Sequence, residues 1–172
     1  MAHLSMTVNG SVCELEVEDR TLLVTALRNH LHLTGTHIGC DTAQCGACSV
    51  RLNGRIIKSC SILAAQADGG SIQTIEGVSP EGQPLHPMQQ AFSTCLGLQC
   101  GYCTPGMVLT ALDLVAENPD PDHAAITAAL EGNLCRCTGY RNIITAIQTG
   151  ARAMRENTAR ENTVKENACE VC

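Results

Sequence analysis

The sequence predicts an α+β fold in separate units: a β-rich domain over residues 1–76 and a small helical bundle over 88–154, joined by a linker at 77–87. Three observations carry this expectation. Apolar and polar residues alternate around two Asn-Gly pairs, which is the pattern and the turn of β-hairpins. Beyond residue 88 the apolar residues recur instead at helical spacing. Between these regimes, Gly77 to Pro87 is rich in Gly, Pro, Ser and Gln, as connecting segments are.

In chain order, Leu4, Met6 and Val8 alternate with polar partners, Asn9-Gly10 makes the turn, and Val12 to Val17 alternates again. Thr21 to Leu31 has helical spacing, with Leu23, Ala26, Leu27 and Leu31 on one side. A Gly- and Cys-rich loop runs from Gly35 to Cys48. Ser49–Leu52, the turn Asn53-Gly54 and Arg55–Lys58 then read as a second hairpin. Ser61 to Ala67 suits a short helix and Ser71 to Ile75 a last strand.

After the linker, Met88 to Leu96 reads as a helix. Thr104-Pro105 reads as an N-cap followed by Pro at the first helical position, opening a helix to Glu117 that Asn118-Pro119 ends. Asp120-Pro121 repeats the signal for a helix through Leu130. Asn142 to Met154 makes a fourth, with Ile143, Ile144, Ile147 and Ala151 at core spacing. Four short helices with brief connections suggest a bundle. Residues 155–172 are polar and charged, and the expectation is a mobile tail. No internal repeat at a fixed period stands out.

Composition narrows the function. The 172 residues are 44% hydrophobic and 2% aromatic, with a net charge of −6. Phe92, Tyr102 and Tyr140 cannot build a base-stacking platform, and an acidic chain lacks the basic stripe that phosphates attract, so no nucleic acid is expected. No apolar run reaches the length of a membrane span. Met1 to Ser5 lacks the charged and apolar regions of a secretory signal, so the expected compartment is the cytoplasm. There, the twelve cysteines are expected as metal ligands or redox groups rather than bridges.

Eight of those cysteines form two tight sets. The first is Cys40-x4-Cys45-x2-Cys48-x11-Cys60, the plant-type [2Fe–2S] spacing. A wide loop can wrap three thiolates around a small iron–sulfide rhomb. Gly39, Gly46 and the small Ala43, Ala47 and Ser49 let backbone N–H groups approach the sulfurs. Zinc sites bring ligands as short pairs, which these gaps fit poorly. The second set is Cys100-x2-Cys103 with Cys135-x-Cys137, each pair at a helix boundary where unpaired N–H groups favour thiolates. Spacing alone leaves it open between zinc and a second [2Fe–2S] cluster. Its place beside a plant-type site moves the reading towards iron–sulfur.

The segments TGTHIGCDTAQCGACSV, SIQTIEGV, LQCGYCTPGM and GNLCRCTGYRNI resemble the small iron–sulfur subunit of the molybdenum hydroxylases, the xanthine oxidase and aldehyde oxidoreductase family. The resemblance covers about residues 3 to 154, and the first segment looks closest to the carbon monoxide dehydrogenase type. It implies a ferredoxin-like β-grasp domain followed by a four-helix bundle, each holding one [2Fe–2S] cluster. It also implies a large subunit carrying molybdenum with molybdopterin cytosine dinucleotide, and a medium subunit carrying FAD, arranged as a dimer of heterotrimers. By the same resemblance, Gln99 touches the pterin and Cys137 faces its amino group. The helical-domain cluster then lies next to the pterin and the other lies toward the flavin. The substrate of such a complex is CO, an aldehyde or an N-heteroaromatic, bound on another chain.

Other residues read blandly. Cys13 and Cys95 suit small buried hydrophobes, and Cys169-x2-Cys172 is half a metal site with no second half nearby. His30, His32 and His37 do not make a Rieske centre, because all four Cys are present. No nucleophile–base pair or phosphate loop emerges, so the chain reads as an electron relay, not a complete enzyme. The alternative is a stand-alone zinc or iron redox sensor, which a visible spectrum distinguishes. A loop with three ligands places the first cluster near a surface. Ligands drawn from two helix ends predict a more buried second one.

Overall fold

The computed structural model describes residues 1–169, with side chains through Arg160. The strands β1 (Ala2–Val8) and β2 (Ser11–Val17) form an antiparallel hairpin in which Val8 faces Ser11. Asn9 and Gly10 hold φ at 51° and 84°, the two-residue turn whose twist matches its strands. Asn53 and Gly54 do the same, at 51° and 81°, between β3 (Ser49–Leu52) and β4 (Arg55–Lys58). Strand β5 (Ser71–Gln73) joins the hairpins, parallel to β1 and antiparallel to β3, giving the order β2-β1-β5-β3-β4. The alternation of Leu4, Met6 and Val8 buries all three, against Leu23, Ala26 and Leu27.

Local departures from the sequence expectation have visible causes. The helix expected from Thr21 to Leu31 is one α-turn, α1 (Leu23–Thr25), that widens into a π-turn over Ala26–His30. There the Leu31 N–H reaches back five residues to the Ala26 carbonyl. The helix expected over Ser61–Ala67 is instead two 3₁₀ turns, Ser59–Ser61 and Ala64–Ala67. Residues between them pair with the start of α1: Leu23 N–H donates to Ile62 C=O at 2.9 Å, and Ala64 N–H to Thr21 C=O at 2.8 Å. Strand β5 stops before Ile75 because the Asn9 side chain takes the Thr74 N–H at 2.9 Å.

Four helices follow: α2 (Pro87–Thr94), α3 (Thr104–Glu117), α4 (His123–Ala129) and α5 (Arg141–Cys169). They close around Met88, Phe92, Met107, Ala111, Ile126 and Ile147, with Ile143 and Ala151 buried as their spacing predicts and Ile144 only partly so. Two caps differ from expectation. Cys103, not Thr104, occupies the N-cap position of α3. Asp122, not Asp120, caps α4, taking the Ala125 N–H at 2.8 Å, while Asp120 pairs with Arg155 at 2.7 Å.

The last helix does not stop at Met154 but continues to Cys169. Nothing after Gly150 is Gly or Pro, and Glu156 and Arg160 sit at the spacing of a helical ion pair, so the backbone has no reason to break where the apolar spacing ends. The rest of the expected tail, with Cys172, lies outside the described residues. Among those described, no helix is long and apolar enough to cross a membrane.

Candidate metal centres

The first set lies where the Gly35–Cys48 loop returns to β3. Cys40 and Cys45 are half-buried, whereas Cys48 and Cys60 are buried. Ala43 and Gly46 at φ 58° and 74° curl the loop, so that the Cys45 N–H points at the Cys40 sulfur, 3.4 Å away. The Cys40 thiol interacts with Cys45, and the Cys60 thiol with Cys48. The N–H groups of Cys45 and Thr42 hold the Cys40 thiol down to about 6. Burial, and then the Cys48 thiol, push Cys60 up to about 11. Lys58 stands beside all four. Burial lowers its ammonium pKa, against the Coulombic pull that Cys48, Cys45, Cys60 and Cys40 exert as thiolates.

The second set joins two loops. Cys103 begins α3, while Cys135 and Cys137 precede α5. Cys137 and Cys100 sulfurs are 3.5 Å apart, and the Cys103 thiol interacts with Cys135. Burial, then Cys135, push Cys103 up to about 12. Burial also pushes Cys135 up, but the Thr138 hydroxyl at 3.2 Å, with backbone N–H groups, turns the balance downward. Tyr140 stitches this loop, taking the Cys135 N–H at 2.9 Å and donating to Asn133 C=O at 3.1 Å.

The two sets are neighbours, which no spacing could have said. Leu134 N–H donates to Cys45 C=O at 2.8 Å, and Lys58 Nζ to Gly132 C=O at 2.6 Å and Ser49 Oγ at 3.1 Å. Gly46 fits directly under Gly132 and Asn133, where a Cβ would collide with both, and its carbonyl lies against Gly106 of α3. A cavity of about 230 Å³ opens between the sets, lined by Gly39, Cys45, Tyr102, Cys103, Cys135 and Cys137.

The structure brings the Cys45 N–H onto the Cys40 sulfur and Cys137 beside Cys100, while the burial order of the two sets departs from expectation. Cys100 and Cys137 are exposed and the first set is the deeper one. The reason is that the second set's loops cap helix ends on the outer surface, whereas Cys48 and Cys60 pack beside Val24. Gln99 is exposed on the same rim as Cys100 and Cys137. Cys13 packs on the first core, and Cys95 donates to Thr149 Oγ1 at 3.6 Å. Sequence reasoning missed Lys58, Thr138, Tyr140 and the pairing of His37 with Tyr102. The only signal for them was adjacency to the cysteines. One expected outcome tests the electrostatics: in metal-free protein at neutral pH, iodoacetamide alkylates Cys40 before Cys60 and Cys103, read by peptide mass spectrometry. Equal rates at the three positions would refute it.

The donor chemistry of each set, four thiols with a backbone N–H turned to the Cys40 sulfur in the first, fits an all-thiolate iron–sulfur cluster. Two such centres on a mixed sheet and a helical unit define a two-centre iron–sulfur electron carrier. Residues 6–77 match the 2Fe-2S iron-sulfur cluster binding domain, and residues 74–148 the [2Fe-2S] binding domain. The chain is 46% identical to caffeine dehydrogenase subunit gamma of Pseudomonas sp. (strain CBB1), over 85% of this chain and 89% of that one. It is 44% identical to the nicotinate dehydrogenase small FeS subunit of Eubacterium barkeri, over 84% and 92%. The crystal structure of quinoline 2-oxidoreductase from Pseudomonas putida 86 superposes with a TM-score of 0.86 at 44% identity, covering 90% of this chain and 96% of that one. The chain belongs to the family of small [2Fe–2S] subunits of the molybdenum hydroxylases, and is the iron–sulfur subunit of an oxidoreductase complex.

Proposed function

We propose that Cys40, Cys45, Cys48 and Cys60 hold one [2Fe–2S] cluster, that Cys100, Cys103, Cys135 and Cys137 hold the other, and that the subunit passes electrons from a molybdopterin cytosine dinucleotide centre on a large partner to FAD on a medium one. The hydrogen bond from Leu134 N–H to Cys45 C=O carries this reading, because it links a thiolate residue of one set to the neighbour of a thiolate residue of the other. Each cluster, when bound, supplies a one-electron couple tuned by hydrogen bonds to its sulfurs. The chain's own contribution is to orient thiolates, donate those bonds and keep the sets close.

Exposure of Gln99, Cys100 and Cys137 on one rim supports this face as the one that meets the pterin, with the first set directed toward the flavin. A dimer of heterotrimers in the cytoplasm remains our proposal for the assembly. The relatives act, by name, on caffeine, nicotinate and quinoline, which favours an N-heteroaromatic substrate over carbon monoxide. Metal analysis of the native protein is expected to find about four irons and about four acid-labile sulfides per chain. About two irons, or stoichiometric zinc, would overturn the second-cluster assignment.

A further inference from the structure

We propose that His37 and Tyr102 form a strap that fixes the separation of the two thiolate sets, and thereby the rate at which an electron crosses between them. This rests on the reading that both sets hold [2Fe–2S] clusters.

The second set has two halves, Cys100/Cys103 and Cys135/Cys137, on loops far apart in the chain. Leu134 and Gly132 tie only the latter half to the first domain, through Cys45 and Lys58. Among the described residues, the hydrogen bonds from the Gly35–Cys48 loop to the Cys100/Cys103 half all run through His37 and Tyr102. His37 Nδ1 lies 2.7 Å from Tyr102 C=O, and because a carbonyl only accepts, Nδ1 carries the hydrogen. Tyr102 returns its hydroxyl to Ile38 C=O at 2.8 Å. The two rings stack with centroids 4.5 Å apart and an interplanar angle of 16°.

Two bonds in opposite directions with a stacked pair between them leave the loops little freedom to slide or rotate. Tyr102 sits between Cys100 and Cys103 in the chain, and its ring edge lies so near Gly39 that a Cβ there would touch it at 3.6 Å. It also lines the cavity between the sets. Neither residue belongs to either apolar core, and Tyr102 is 47% exposed, so core stability does not account for them. The step they govern moves one electron from the second set to the first, with no bond made or broken.

The test uses the whole reduced complex carrying Tyr102→Ala, Tyr102→Phe or His37→Asn. Electron resonance reads the spin–spin splitting between the sets, and freeze-quench reads the crossing rate. Tyr102→Ala is expected to keep full iron yet lose the splitting and slow the crossing. Tyr102→Phe, which keeps the stack and the carbonyl bond, is expected to stay closer to native. Asn at position 37 can still donate to the same carbonyl, so it too is expected to retain part of the effect. Unchanged splitting and rate in Tyr102→Ala would overturn the strap. If that variant fails to assemble, the same unchanged readings in His37→Ala would overturn it. A native complex lacking two [2Fe–2S] signals would instead remove the cluster reading, whatever the variants do.

Discussion

Replacing Cys45 by Ser is expected to strip the first set of its metal and leave the second set loaded, halving the iron from about four to about two per chain. A hydroxyl is a poor substitute for a soft thiolate toward iron, while the Cys45 N–H to Cys40 sulfur bond is backbone and is kept. The link to the second set survives, because it runs through the Cys45 carbonyl, which the substitution keeps. Electron resonance should show the helical-domain signal alone. Loss of both signals together would mean that the two units hold their metal only as one body.

Gly46→Ala is expected to be the most damaging change outside the cysteines. At φ 74° an L side chain costs about 1–2 kcal/mol. The added Cβ would also run into the Gly132 carbonyl and the Asn133 side-chain oxygen, and backbone cannot yield cheaply. Together these exceed the cost of an ordinary surface substitution and fall on the contact that joins the two centres. Each kcal/mol corresponds to roughly 2–4 °C in melting temperature for a chain of this size. Calorimetry of the loaded protein should therefore show a clear drop, with the spin–spin splitting weakened as the loops part. An unchanged melting temperature would show that the first loop can move aside freely.

Much of this molecule is legible without coordinates, for local reasons. Both Asn-Gly turns form as read, since only residues tolerant of positive φ can close a two-residue hairpin. The alternation of Leu4, Met6 and Val8 and the spacing of Ile143, Ile147 and Ala151 name their buried faces directly. Elements whose ends depend on distant partners read less well. The Thr21–Leu31 and Ser61–Ala67 helices are shortened by their mutual pairing through residues 62–64, which no local pattern encodes. The cap of α4 moved to Asp122 because Asp120 is engaged by Arg155, from the other end of the unit.

How eight of the cysteines divide into two groups is written in their spacing along the chain. Ligand spacing is a property of the chain, and each set draws its members from one or two short loops. Its apolar periodicity also points to the two cores that form. Only the tertiary structure decided that the sets stand side by side, that the first is the deeper, and that Lys58, His37 and Tyr102 join them. Such contacts span 64 to 74 residues, and a pairing over that distance is chosen by how two finished surfaces fit rather than by any local preference.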